Sequence, residues 1–253
     1  MISLKPNYNE SSERIYGLDL IRCIAIVFVL IDHSLILMPE FKYKENVRNY
    51  FGTIGVELFF CLSGFLIGTI LLKVLISNNS YNINTILNFW IRRWLRTLPA
   101  YWFYFFLYTL LAVILRYKEF DKFNLNSGLQ SLFFVRSLFF PLAIHFEVSW
   151  SLAIEEWFYL IVPLFLFFFL KFIENRRKAF IAVMIIMIVI AVLLKSLCFG
   201  LINYGYLQSY AEHLKIDNFI NRLYIGIRKI IIFRLDGTVY GVIIAYFYYY
   251  YKF

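Results

Sequence analysis

Apolar residues run along this chain in long unbroken blocks. They show neither the alternation of a half-buried strand nor the one-sided stripe of a surface helix. A hydrocarbon core of about 30 Å takes about 20 apolar residues as a helix. Six stretches are of that order, at about 18 to 38, 53 to 73, 98 to 116, 148 to 170, 179 to 199 and 230 to 250. They predict an all-α, polytopic transmembrane helix bundle. A further stretch, 129 to 146, is apolar but interrupted by Arg136, Pro141 and His145. It is expected as a re-entrant or interfacial helix, and a seventh span is the alternative, which would invert the orientation of everything after it. Residues 1–17 are polar and read as a cytosolic tail, with one membrane domain over 18–253. The tyrosine run 248–251 reads as an aromatic belt where a helix leaves the bilayer. No cleavable signal is expected, because the first apolar stretch carries Asp19, Arg22, Asp32 and His33 and lacks a small-residue cleavage site.

Composition agrees with this outline: 62% of residues are hydrophobic, 21% aromatic and only 16% charged. A soluble domain carries about 25% charged residues, so a water-soluble globule, a disordered chain and a collagen-like fibre are excluded. The 25 Lys and Arg against 16 Asp and Glu give a net charge of +9. Such a balance can mark a nucleic-acid binder, but here the basic residues gather at the ends of apolar blocks and report topology, so membrane lipid is the expected partner and nucleic acid is not. Lys73, Arg92, Arg93 and Arg96 fall in one connection, and Lys171, Arg176, Arg177 and Lys178 in another. Both lie in the cytosol if six spans start from an inside N-terminus. The opposite connections mix their bases with Glu40, Glu45, Glu119, Asp121, Glu212 and Asp217. Cys23, Cys61 and Cys198 all lie in apolar stretches without paired spacing, so they read as small core residues, and no metal site is expected.

Charge inside a span is costly unless paired or facing a water-filled cavity, so each intramembrane ionisable group is a functional candidate. Asp19, Arg22, Asp32 and His33 sit in the first span, Glu57 in the second, Glu155 and Glu156 in the fourth, and Arg234 with Asp236 in the sixth. Mutual pairing as structural glue is the plain alternative. Arg22 and His33 are eleven positions apart, close to three helical turns, so they share a face about 16 Å apart along the axis. Asp32 points roughly 100° away, toward a neighbour. In the six-span arrangement His33, Glu57, Glu155 and Arg234 fall at similar depth near the outer ends of their helices. A histidine among carboxylates is suited to proton abstraction, since imidazole exchanges protons near neutral pH. The alternative is a hydrogen-bonded core histidine. His145 and His213 are expected in loops or at the interface.

In NTILNFWIRRWLRTLPAYW, Arg92 and Arg96 share a face at i and i+4, Trp90, Trp94 and Leu95 suit the membrane interface, and Pro99 is expected to mark the break before the next span. Arginine is the residue for bidentate phosphate contact. Taken with Arg22 near the inner end of its span, the cluster suits a cytosolic ligand bearing phosphate, held by Arg22, Arg92, Arg93 and Arg96, with anionic lipid as the alternative. Gly64 and Gly68 in LSGFLIG have the small-xxx-small spacing of close helix contact. Ser149 or Ser151 is expected to cap the fourth span, with Glu155 and Tyr159 one turn apart within it.

Five blocks in order then resemble the membrane-bound acyltransferase-3 family: the R-x10-H spacing from Arg22 to His33, GVELFFCLSGFLIG at 55–68, RRWLR with Pro99 behind it, SWSLAIEEWFYLIVP at 149–163, and FRLDGTVYG at 233–241. The resemblance implies acyl transfer, most often of acetyl from acetyl-CoA, onto a hydroxyl of a carbohydrate or lipid-linked saccharide at the bacterial cell envelope. The location implied is the cytoplasmic (inner) membrane, multi-pass, with acyl-CoA met from the cytosolic side as co-substrate and no bound cofactor. It makes His33 the catalytic histidine with Arg22 its motif partner, Arg92, Arg93 and Arg96 the donor-handling cluster, and Glu155 the acid of the fourth-span block. On that reading Glu155 or Asp32 orients the imidazole, and Arg234 or Ser63 is the candidate donor to the developing oxyanion, with Glu57, Asp236 and Tyr159 as further acceptor contacts. The family is associated with around ten spans where six are read here, so the chain is a shortened member, a fragment or an inactive relative. A carrier or flippase lined by the same charges is the competing class.

Overall fold

The computed structural model of the chain describes residues 15–77, 81–115, 125–135, 149–203 and 234–251. These residues form α1 (Tyr16–Ile36), α2 (Lys44–Ser77), α3 (Ile83–Ile114), α4 (Leu125–Leu132), α5 (Ser149–Phe172), α6 (Arg176–Asn203) and α7 (Leu235–Tyr251). No strand occurs among them, as the block pattern predicts. Four helices, α2, α3, α5 and α6, are long and apolar enough to cross a membrane. The first expected span, α1, is a 21-residue helix carrying Asp19, Arg22 and Asp32, and the sixth is described over the 17 residues of α7. Of the 129–146 stretch, only the end of α4 and residues 133–135 are described, so the choice between re-entrant helix and seventh span lies outside the described residues, with Arg136, Pro141, His145 and His213.

The chain divides into two compact units, one of residues 1–79 with 237–253 and one of residues 80–236. In the first, α1 and α2 form a tight antiparallel pair. Lys44 is 5% exposed, and its Nζ donates to the Met38 carbonyl (2.6 Å) and to Glu40 Oε1 (2.8 Å), which fixes the connection between them. Gly55 lets the helices meet, since a Cβ there would stand 2.9 Å from Val29 Cγ2 and 3.1 Å from the Ala25 carbonyl oxygen. The small-xxx-small reading holds as well. A Cβ on Gly64 would fall on the Thr238 carbonyl, and one on Gly68 would lie 2.9 Å from Val242 Cα. Reciprocally, a Cβ on Gly241 would collide with the Cys61 carbonyl. Backbone thus touches backbone between α2 and α7, a contact open only to glycine. Of the cysteines expected in the core, Cys23 is instead exposed on α1 and Cys61 is half-buried; nothing of the Cys198 side chain is described.

The second unit packs Ile154, Phe158, Val162 and Leu166 of α5 among fully buried residues that include Phe180 and Val183 of α6. Its proline positions correct one expectation. Pro99 does not end a helix but lies inside the 32-residue α3, so the arginine cluster and the following span are one rod. In apolar surroundings a helix tolerates proline, because every alternative leaves more backbone unsatisfied. Pro163 lies inside α5 and shows how the loss is repaired. A proline at 163 has no N–H to give the carbonyl four residues back. That carbonyl, of Tyr159, instead accepts from Trp90 Nε1 of α3 at 3.0 Å. Tyr81, just ahead of α3, donates its hydroxyl to the Pro163 carbonyl at 3.2 Å, and burial raises its phenol above the ordinary range. α5 begins at Ser149 itself, so its capping position lies outside the described residues.

Candidate active site

In the first unit the histidine and its neighbours are built by α1 and the first turns of α2. α1 is unbroken from Tyr16 to Ile36, so Arg22 and His33 share one rod, as their spacing predicts. Asp19 lies one turn before Arg22 and accepts from its Nη1 at 3.0 Å. At the other end Asp32 Oδ2 lies 3.4 Å from His33 Nδ1. Asp32 Oδ1 lies 3.3 Å from Arg48 Nε, and Arg48 Nη1 donates to Glu45 Oε1 at 2.9 Å. Arg48 was not among the residues expected from the sequence. Its neighbourhood reads as a polar loop, but α2 begins at Lys44 rather than near 53, and this early start carries the guanidinium to the carboxylate. Gly52 completes the arrangement, because a Cβ there would stand 2.8 Å from Asp32 Oδ2. Asp32 is thus held between an arginine and a glycine, with its second oxygen turned to the imidazole. His33 is 54% exposed, so its ring is open to an incoming group. Asp32 lies on the Nδ1 side of the ring, and a proton carried on Nδ1 leaves Nε2 the free lone pair that a base needs. Further along α2, Glu57 lies against the start of α7, where a Cβ on Gly237 would be 3.1 Å from its Oε2. Ser63 is half-buried beside Gly64.

The second unit holds the arginine cluster and the acidic pair. Arg92 and Arg96 are exposed on α3 and make no ion pair among the described residues, unlike Arg22 and Arg48. The Arg93 guanidinium lies over the Phe89 ring (5.9 Å) and the Tyr159 ring (5.6 Å). Trp90 and Trp94 stack at 5.8 Å on the same helix. Across from them on α5, Glu155 Oε2 accepts from the Tyr159 hydroxyl at 2.9 Å, the one-turn contact expected. Glu156 is 5% exposed and its Oε1 lies 2.6 Å from Thr97 Oγ1. A groove of about 650 Å³ begins at Arg96 and Thr97 and continues past Tyr104, Tyr108 and Leu111, with Leu152 among the α5 residues lining it. Arg234 is half-buried just before α7, while Asp236 is engaged by the Lys195 ammonium of α6. Lys195 too was passed over in the sequence, although a lysine within an apolar block is itself a signal.

Comparison with known proteins supplies a family. Over 193 residues the chain is 32% identical to "Peptidoglycan O-acetyltransferase OatA" of Listeria monocytogenes, covering 69% of this chain and 28% of that protein. It is 30% identical over 206 residues to "Putative peptidoglycan O-acetyltransferase YrhL" of Bacillus subtilis, covering 75% of this chain and 30% of that protein. A "Putative O-acetyltransferase" of Staphylococcus aureus, SACOL0978, is 30% identical over 176 residues, 64% of this chain and 26% of its own. The chain therefore spans under a third of the length of these relatives. No solved structure matches. The sequence model of the acyltransferase-3 family, described as "Acyltransferase domain", matches residues 15–252, nearly the whole chain, and the chain belongs to that family.

Proposed function

We propose that this chain is the membrane part of an O-acetyltransferase that moves an acetyl group from acetyl-CoA to a hydroxyl of a cell-envelope polysaccharide. Peptidoglycan is the first acceptor to test, because relatives bear that name. Family membership supports the reaction class, and one observation carries the mechanism: a half-exposed imidazole whose Nδ1 lies 3.4 Å from a carboxylate that is itself ion-paired with Arg48 at 3.3 Å. His33 takes the proton of the acceptor hydroxyl as its oxygen attacks the thioester carbonyl, and Asp32 holds the ring and stabilises the imidazolium that forms. The thiolate of CoA leaves with the electron pair of the broken C–S bond. Arg92 and Arg96, exposed and without a carboxylate partner among the described residues, are suited to the donor's phosphates. Ser63 and Arg234 are candidate donors to the thioester oxyanion. The bacterial cytoplasmic membrane is the location this reading requires, with the donor met from the cytosol.

Membrane vesicles carrying the chain, supplied with acetyl-labelled CoA on one side, test the reading. Base-labile label on polysaccharide, absent from vesicles without the chain, is the result expected. Solute flux with no thioester consumed would assign the same charges to a carrier.

A further inference from the structure

Glu156 is the most deeply buried carboxyl of the fourth-span block, and the hydrogen bonds around it do not balance if it is ionised. Thr97 Oγ1 lies 2.6 Å from Glu156 Oε1 and 3.2 Å from the Arg93 carbonyl oxygen, with geometry that lets it donate to either. A hydroxyl has one hydrogen and cannot serve both. If Thr97 donates to Glu156, Oε1 is bonded and Trp94 of α3 is a further donor close to the carboxylate, but Oε2, buried without a hydrogen bond among the described residues, still holds a share of unsolvated negative charge. If Glu156 carries the proton, every donor is used: the acid donates to Thr97 Oγ1 and Thr97 donates to the Arg93 carbonyl, as a helical threonine commonly does. Oε2 is then a neutral acceptor, far easier to leave unpaired than a charge. The 2.6 Å separation suits a carboxylic acid O–H donor. Besides Thr97, three groups act on Glu156: Trp94 of α3 as a hydrogen-bond donor, and the charges of Arg93 on α3 and Glu155 on its own helix. The Arg93 guanidinium is committed to the Phe89 and Tyr159 rings and makes no ion pair among the described residues.

We propose that Glu156 is a neutral, proton-bearing positioning residue, which joins α3 to α5 through Thr97 without cancelling the charge of the arginine cluster beside it. Glu155, the other member of the pair, is half-buried and accepts from the Tyr159 hydroxyl. An ionised Glu156 would set a counter-charge against Arg93. A neutral one leaves Arg92, Arg93 and Arg96 at full strength for an anionic ligand. This consequence rests on the proposed donor-binding role of the cluster, whereas the protonation state does not.

Infrared difference spectra of the full chain in lipid nanodiscs at neutral pH decide the protonation state. A protonated-carboxyl C=O band that shifts in heavy water, disappears in Glu156→Gln and persists in Glu155→Gln is expected. Thr97→Val removes the partner while keeping the side-chain shape, and should move the band to higher frequency without abolishing it. Absence of the band from the wild type, or its loss only in Glu155→Gln, overturns the proposal. Binding of CoA supplies the second readout. Glu156→Gln should bind CoA within about twofold of wild type at neutral pH, because the amide mimics the neutral acid. A gain of about tenfold or more in that variant would reveal a removed negative charge and contradict the proposal. If CoA binds to neither protein, the donor-binding reading fails while the infrared result still stands on its own.

Discussion

Asp32 shows how much of the candidate site hangs on single atoms. Its two oxygens divide between Arg48 Nε at 3.3 Å and His33 Nδ1 at 3.4 Å, and the room it occupies exists because residue 52 has no side chain. Gly52→Ala puts a methyl 2.8 Å from Oδ2, a separation no real Cβ holds, so the carboxylate must swing from the imidazole. Acetyl transfer should fall by about 10- to 100-fold with donor affinity unchanged, as expected when orientation of a base is lost; a kcat and KM comparison on membrane preparations checks it. Arg92→Gln should do the reverse, raising KM for acetyl-CoA about tenfold at nearly constant kcat, because a charge-assisted contact contributes about 1.5–3 kcal/mol. A KM unchanged in that variant would point the arginine at lipid headgroups. Among these residues, His33, Asp32 and the arginines were legible because ionisable groups in or beside an apolar block have few bland explanations. Arg48 was not, since an arginine in a polar stretch gives no sign of the partner that tertiary packing brings to it. Lys195, an ammonium within an apolar block, does carry a signal of its own, but its partner Asp236 is 41 positions away and only packing in the folded unit joins the two.

Helices carry the next level of specification, and here the apolar blocks set existence and type while boundaries drifted. α2 starts well ahead of the apolar block and α3 begins well ahead of the expected 98, because polar flanks continue a helix once a membrane-length rod has formed. Pro99 misled for a physical reason: proline is a breaker in water, where freed carbonyls find solvent, whereas in apolar surroundings the rest of the ladder holds. Pro163 and Trp90 make the point testable. Trp90→Phe keeps the ring and removes the N–H that satisfies the Tyr159 carbonyl. That buried acceptor then costs about 1–3 kcal/mol, which should appear as a lower melting temperature in detergent, with Trp102→Phe at an exposed position of the same helix as the control. The Gly64 prediction is more severe. Its backbone contact with Thr238 leaves no space for any side chain, so Gly64→Leu should separate α2 from α7 and abolish stable expression, as judged by protease resistance in membranes.

At the scale of the whole molecule, an all-α membrane protein of the acyltransferase-3 family was readable from block length, charge placement and the order of five motifs. Orientation rests on the arrangement of basic residues alone. With the N-terminus inside, the connection before α3 and the one between α5 and α6 both face the cytosol. Single cysteines at Asn84 and Glu174, both exposed, should react with an impermeant thiol reagent only from the cytosolic side, in a background with the native cysteines replaced. Labelling of the two from opposite sides would discard the six-span arrangement and with it a cytosolic donor site. Relatives extend well past the length seen here, so acceptor handling is an activity to assay in the chain as it stands. The most direct measurement is the single-turnover rate of acetyl transfer in His33→Ala, taken beside CoA binding to the same protein. CoA affinity within error of wild type and a rate lower by about 100-fold or more are expected. Transfer at the wild-type rate would contradict the assignment of the base to His33 and leave the Asp32–Arg48 pair a structural bracket.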